Sequence, residues 1–294
     1  MVKEVLKKLL LLVSLCLLTS CVANEEGNQS ITDQEKEPTI NEIIQKSKAS
    51  LSEVNNFTLS SDNTQVISRG EERRETITSY GLTYYNESPF AYHQKLETSV
   101  SNSHSSRTEN TEAEQYVKED MAFLLNNSSN IWMEVPLELT EDLLSFQNPQ
   151  FEVNRYLDLM EEYKENIELE RTDNYHILSL EGRGLEVREA VMQLYRISNL
   201  ANEQQSVDIV NQMEIEAIDY DLYINKDTYL QDKVEISIQL NTTFEGEPVD
   251  VEINIQTDIT DYNDTETIII PDHIINDSEE YKMELGNSLT GSDD

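Results

Sequence analysis

Residues 234–240, VEISIQL, and 249–259, VDVEINIQTDI, decide the fold. Val234, Ile236, Ile238 and Leu240 alternate with Glu235, Ser237 and Gln239. Val249, Val251, Ile253, Ile255 and Ile259 alternate with Asp250, Glu252, Asn254, Gln256 and Asp258. Successive side chains of a strand point to opposite faces, so each run has one apolar face and one wet face. Glu245-Gly246-Glu247-Pro248 between them reads as a turn, which makes the pair an antiparallel hairpin. A preceding strand, 213–224, changes phase between Ala217 and Ile218, which predicts a β-bulge or a strong bend. Asn225-Lys226-Asp227 is its turn.

Towards the amino terminus, residues 57–135 are rich in Thr, Ser, Tyr and Val and lack helical spacing. They read as strands over roughly 57–68, 72–84, 90–101, 108–118, 120–126 and 130–135. Breaks fall at Arg69-Gly70, 86–89, 102–106 and 126–130. Polar residues occupy both alternations, so one sheet face is solvated.

Helical spacing appears in three places. Ile40, Ile43, Ile44, Ser47, Leu51 and Val54 form one stripe, with start signals at Pro38 and at Thr39 or Asn41. Val153, Tyr156, Leu157, Met160, Tyr163 and Ile167 form a second, after a short turn capped by Thr140. Val187, Val191, Leu194, Ile197 and Leu200 or Ala201 form a third, and a strand over 175–180 lies between the last two. One-sided apolar helices need a sheet to cover. Val153, Tyr156, Leu157, Met160, Val191 and Leu194 therefore either fill a core or wall an apolar seam that takes a ligand.

The chain opens with Lys3, Lys7 and Lys8, then the apolar run Leu9–Leu18, then Leu18-Thr19-Ser20-Cys21. Basic, apolar and small residues in that order make a secretory signal. About ten apolar residues are too few to span a bilayer. The tetrapeptide resembles the lipobox of bacterial lipoproteins. That resemblance implies a diacylglycerol on the Cys21 thiol, cleavage between Ser20 and Cys21, and a chain lipid-anchored on the extracytoplasmic face of the cell membrane. Cys16 would leave with residues 1–20 and Cys21 would be acylated. The mature chain would then hold no thiol for a disulfide, a metal or catalysis.

The chain carries 21 basic and 58 acidic residues, a net charge of −37. Without residues 1–20 there are 18 and 57, a charge of −39. Nucleic-acid binding needs the opposite sign. Residues 21–38 read as a disordered acidic tether, reaching roughly 55 Å when extended. Residues 39–277 form the folded domain and 278–294 a polar tail.

No constellation for chemistry stands out. His93, His104, His176 and His273 lack metal-ligand spacing. There is no Gly-x-Ser-x-Gly elbow. Asp219-x-Asp221-x-Tyr223-x-Asn225 lacks the glycine of a calcium loop, Ile224 standing in its place. No catalytic residue, metal or cofactor is expected, and the protein reads as non-enzymatic.

The order of elements resembles Gram-positive lipoproteins with the LolA/LppX-LprG-like fold. The lipobox and the terminal Asp261-Tyr262-Asn263 with Ile268-Ile269-Ile270-Pro271 carry that resemblance, which spans about residues 39–275. It implies an α+β fold: a large curved antiparallel sheet, a half-barrel, wrapping a few amphipathic helices on its concave side. It also implies room for lipid acyl chains, in a family whose members bind lipids or lipoproteins or have no known role. The alternative reading is an interaction module that docks an envelope protein by its exposed sheet. No family binding residue maps onto this chain.

Overall fold

The computed structural model describes residues 37–70, 73–103, 105–118, 121–126, 129–135, 149–198, 214–244 and 246–280. The signal, Cys21, nearly all of the tether, the turn at Thr140, His104 and residues 281–294 lie outside these.

Among the described residues twelve strands form one sheet. In chain order they are β1 (Asn56–Arg69), β2 (Arg73–Asn86), β3 (Ala91–Asn102), β4 (Ser105–Lys118), β5 (Met121–Asn126), β6 (Ile131–Val135), β7 (Glu168–Arg171), β8 (Tyr175–Gly182), β9 (Glu214–Asn225), β10 (Gln231–Phe244), β11 (Glu247–Thr260) and β12 (Glu279–Glu280). Their spatial order is β12-β6-β5-β4-β3-β2-β1-β11-β10-β9-β8-β7. Two meanders, β1–β6 and β7–β11, meet where β1 pairs β11 antiparallel, from Thr58 opposite Thr260 to Arg69 opposite Val249. Among the described residues every pairing is antiparallel except β12 with β6, and the sheet they form is not closed. The α+β class with one large, open antiparallel sheet is therefore the observed one.

Four helices complete the described residues: α1 (Ile40–Leu51), α2 (Pro149–Glu162), α3 (Arg188–Ser198) and α4 (Asp272–Asp277). Thr39 starts α1 with a capping box. Its Oγ1 accepts from the Glu42 amide at 3.3 Å, and Glu42 Oε2 accepts from the Thr39 amide at 2.7 Å. The buried Ile43, Ile44 and Leu51 of α1 join Val153 and Leu157 of α2, Val191 and Leu194 of α3, and the apolar faces of β8–β11 in one core. Lys48 of α1 bridges Asp158 and Glu161 of α2 at 2.6 and 2.5 Å. Both carboxylates are substantially exposed, so these links add little stability.

The bulge expected in β9 is present. Leu240 faces Ile215 and Gln239 faces Ala217, leaving Glu216 without an opposite residue. The extra residue lets Ile215 and Ile218, three positions apart, both reach the core.

Three placements differ from the sequence expectation. The second helix ends at Glu162, a 3-10 turn follows over Lys164–Asn166, and Ile167 leads into β7 rather than lying on the helix. Residues 168–171, ELER, hold one apolar side chain and gave no alternation to read. α4 lies on the opposite sheet face from α1–α3. There Ile268, Ile270 and Ile274 pack on Ala91, Tyr116 and Phe123 in a second, smaller core. Finally, Glu279 and Glu280 pair with Met133 and Glu134, so the sheet continues past residue 277.

Candidate functional site

The six side chains singled out by spacing converge between the helix layer and the sheet. Val153, Leu157 and Met160 are 0% exposed, Val191 and Leu194 1%, and Tyr156 5%. A side chain with no surface open to a water-sized sphere borders no water-sized void. The seam is therefore filled in this conformation, as the first of the two readings of these residues has it. Leu159 and Tyr220, both fully buried, help to fill it. Spacing overlooked them because Leu159 sits beside the stripe on α2 and Tyr220 belongs to the sheet.

Two polar links tie α2 to the sheet. The Tyr220 hydroxyl of β9 donates to the Tyr156 carbonyl at 3.2 Å, and Gln231 Nε2 of β10 donates to the Val153 carbonyl at 3.0 Å. Burial raises the Tyr220 pKa well above its ordinary value, so the hydroxyl stays protonated as a donor.

The opposite sheet face is polar over β8–β11. Tyr223 donates to Glu235 at 2.6 Å, and Lys233 pairs with the same carboxylate at 2.6 Å. Asp219 and Asp221 share that face, opposite Ser237 and Glu235. This is a strand surface, not a loop that wraps a cation. Among the described residues no group of three or more His, Cys, Asp or Glu is arranged to hold a metal ion.

A concavity of about 600 Å³ opens beside this face, lined by Tyr175, Tyr223, Asp232, Lys233, Asp258 and Tyr262 among others. Asp232 is the extra residue of a bulge, since Gln231 faces Ile224 and Lys233 faces Tyr223. Its carboxylate accepts from Asn225 Nδ2 at 2.9 Å. A second concavity, about 370 Å³, lies at the far end of β1–β3 and is lined by Ile67, Arg69, Arg73, Arg74, Glu75 and Asn102. Neither borders the six seam residues. Sequence reading overlooked both, because cross-strand neighbours are far apart in the chain.

Of the histidines, His93 lies on β3 with Nε2 2.7 Å from Glu114 Oε1. His176 is buried beside Tyr229, and His273 lies on α4.

Comparison with solved structures gives faint likenesses. LprF from Mycobacterium bovis is 8% identical over 79% of this chain and 96% of its own, with a TM-score of 0.40. A DUF1329 family protein from Desulfovibrio piger ATCC 29098 is 9% identical over 79% and 96%, with a TM-score of 0.26. A porin-like protein from Bacteroides uniformis ATCC 8492 is 10% identical over 70% and 96%, at 0.23. At such scores these likenesses speak to neither ligand nor role. No curated protein matches the chain. Residues 39–279 match the family described as "Family of unknown function (DUF6612)", and the chain belongs to that family.

Proposed function

We propose that this protein is a lipid-tethered, non-enzymatic extracytoplasmic binding protein. Cys21 anchors it to the membrane, and it shelters an apolar ligand such as a lipid between the helix layer and the sheet. The seam described above is the observation that carries this reading. α2 runs 14 residues, about 21 Å of helix at 1.5 Å per residue, and its inner side is apolar from Val153 to Met160. If the layer parts from the sheet, an acyl chain replaces one apolar wall with another, so the burial lost is restored by the ligand. The filled seam is then the ligand-free state.

The test is native mass spectrometry of the full chain purified from its own membrane. Non-covalent lipid, lost when Leu157 is replaced by Asp, is the expected result. A protein that carries no such lipid overturns the reading. One observation favours the alternative, an interaction module for an envelope protein. Tyr80 on one sheet face and Leu96 on the other, out on β2 and β3, are 40% and 39% exposed. A co-purifying protein partner with no lipid would support that second reading.

A further inference from the structure

We infer that the outer edge of β4, from Thr108 to Glu114, is a docking strand for an extended, lysine- or arginine-bearing segment of a partner protein, which joins the sheet there. This holds whether or not the apolar seam takes a lipid. β4 spans Ser105–Lys118, but β5 pairs it only from Lys118, opposite Met121, back to Gln115, opposite Leu124. Among the described residues no strand lies beside the rest of that edge. On the inner side β3 pairs with the strand from end to end, so its backbone is held extended. The side chain of Arg107 lies outside the described residues, and the site is drawn from Thr108 onwards.

Lys118 and Met121 flank a two-residue hairpin loop, which makes them a hydrogen-bonded pair. Along a strand, successive residues aim their amide and carbonyl to alternate sides. Thr108, Asn110, Glu112 and Glu114 therefore aim theirs at the outer edge, in step with Lys118. Residues 108–113 are each exposed, so both sheet faces are open to water here. Thr108–Glu114 spans about 23 Å at 3.3 Å per residue, the length of a short added strand. Extended segments join such edges through main-chain hydrogen bonds. Elsewhere the sheet ends in short edges, four residues in β7 and two in β12, which invite little pairing.

Charge selects the occupant. Glu112 lies directly opposite Glu97 of β3, and like charges so placed repel. Glu114, two residues on, is already joined by His93 at 2.7 Å and Lys95 at 3.4 Å. A lysine or arginine on an added strand, set beside Glu112, offsets the remaining repulsion. A second copy of this chain brings another net charge of −37 to the same edge, and at low salt that repulsion is little screened. The occupant is therefore a basic segment of another protein.

The experiment is fluorescence anisotropy with the full chain in neutral detergent at low salt. The probe is a labelled peptide, Lys-Val-Lys-Thr-Lys-Val-Lys. One control replaces its lysines with glutamates, and another carries methyl groups on its three central amide nitrogens. The lysine peptide should bind. N-methylation keeps the charge and removes the donors, and should weaken binding about tenfold or more. Asn110→Pro removes an amide that faces away from β3, a place where an edge tolerates proline, and should weaken binding as much. Glu112→Gln should weaken it about two- to fivefold. Unchanged affinity after N-methylation would mean attraction to the acidic body alone and would overturn the assignment. So would absence of binding, equal binding of the glutamate peptide, or full affinity in a folded Asn110→Pro variant. If Asn110→Pro does not fold, the N-methylated peptide decides. Sedimentation that finds the parent dimeric and the folded Asn110→Pro variant monomeric would give the edge to a second copy instead, and overturn the assignment to a partner.

Discussion

His93 and Tyr116 lie face to face across β3 and β4, with ring centroids 4.0 Å apart and planes within 5°. Tyr84 stacks on the imidazole from the β2 side at 5.9 Å, and Trp132 lies 5.6 Å beyond Tyr116. Glu114 accepts from His93 Nε2 at 2.7 Å and lies 3.4 Å from Lys95 Nζ. Burial lowers the His93 pKa and outweighs the opposing pull of Glu114, with Lys95 adding to the depression. Burial likewise pushes the Tyr116 hydroxyl up to about 12.

A pH dependence follows. The unfolded chain protonates His93 near its ordinary value of about 6.5, whereas the folded chain does so only at lower pH. Between those values the unfolded state holds more protons, so stability is full above about pH 6.5 and falls as pH drops towards the folded value. Thermal melts from pH 7.5 to 5.5 should show the decline, and His93→Gln should flatten it. An identical slope in the variant would exclude His93 as a source.

Gly182 ends β8 under Val187. A Cβ at Gly182 would meet Val187 Cγ1 at 2.1 Å. Val187 is buried and its branched side chain has few rotamers to retreat to. Gly182→Ala should cost about 1–3 kcal/mol by overpacking. Adding Val187→Ala should make the glycine substitution much less costly, as a double-mutant cycle of denaturation free energies would show.

Tyr220→Phe removes the hydroxyl that holds the Tyr156 carbonyl. That carbonyl lies within α2 and keeps access to a helical donor, so the loss should be about 1 kcal/mol. The local effect should be larger. Amides of 153–160 should exchange faster with solvent deuterium relative to those of β10 and β11. Uniform exchange across the domain would show that this link does not hold the helix layer.

Much of this architecture is visible in the residues themselves. β10 and β11 are legible because each has a dry face and a wet face, and alternation records that contrast. The β9 bulge is legible because Ala217 and Ile218 break the alternation. β7 is not, since a short edge strand with Leu169 as its one apolar residue has no pattern. The outer core is not either: Ile268 and Ile274 meet Tyr116 and Phe123 only through tertiary folding. The six seam residues were legible as an apolar stripe, but a stripe reads alike whether it lines a void or fills one. Arg69 reads with Gly70 as a break between strands, and its position opposite Arg73 emerges only from strand register.

Cys21→Ala should release the protein from the membrane. In the proposed anchoring the Cys21 thiol accepts the diacylglycerol, because an apolar run of about ten residues before it is too short to span a bilayer. Fractionation should move the protein from the membrane to the medium or leave an unprocessed precursor. The parent should begin at Cys21 with added lipid mass. A variant that is processed between the same residues and stays fully membrane-bound would remove lipidation as the anchor.

Leu157→Ala distinguishes a filled seam from a wall around empty space. Leu157 has no exposed surface and sits among Val153, Met160 and the sheet. Removing its three outer carbons loses their burial and leaves a void that rigid neighbours fill only in part, costing about 2–5 kcal/mol. Leu185 provides the internal reference. It is 81% exposed, and Leu185→Ala should change stability by about 0.5 kcal/mol or less. If the seam opens for a ligand, the void at position 157 should also bind a small apolar probe such as benzene, as dry apolar cavities do. Ligand-induced recovery of the Leu157→Ala melting temperature would then be measurable. A loss below about 1 kcal/mol, with no recovery on adding the probe, would mean that α2 rests too loosely on the sheet for its inner face to count as core.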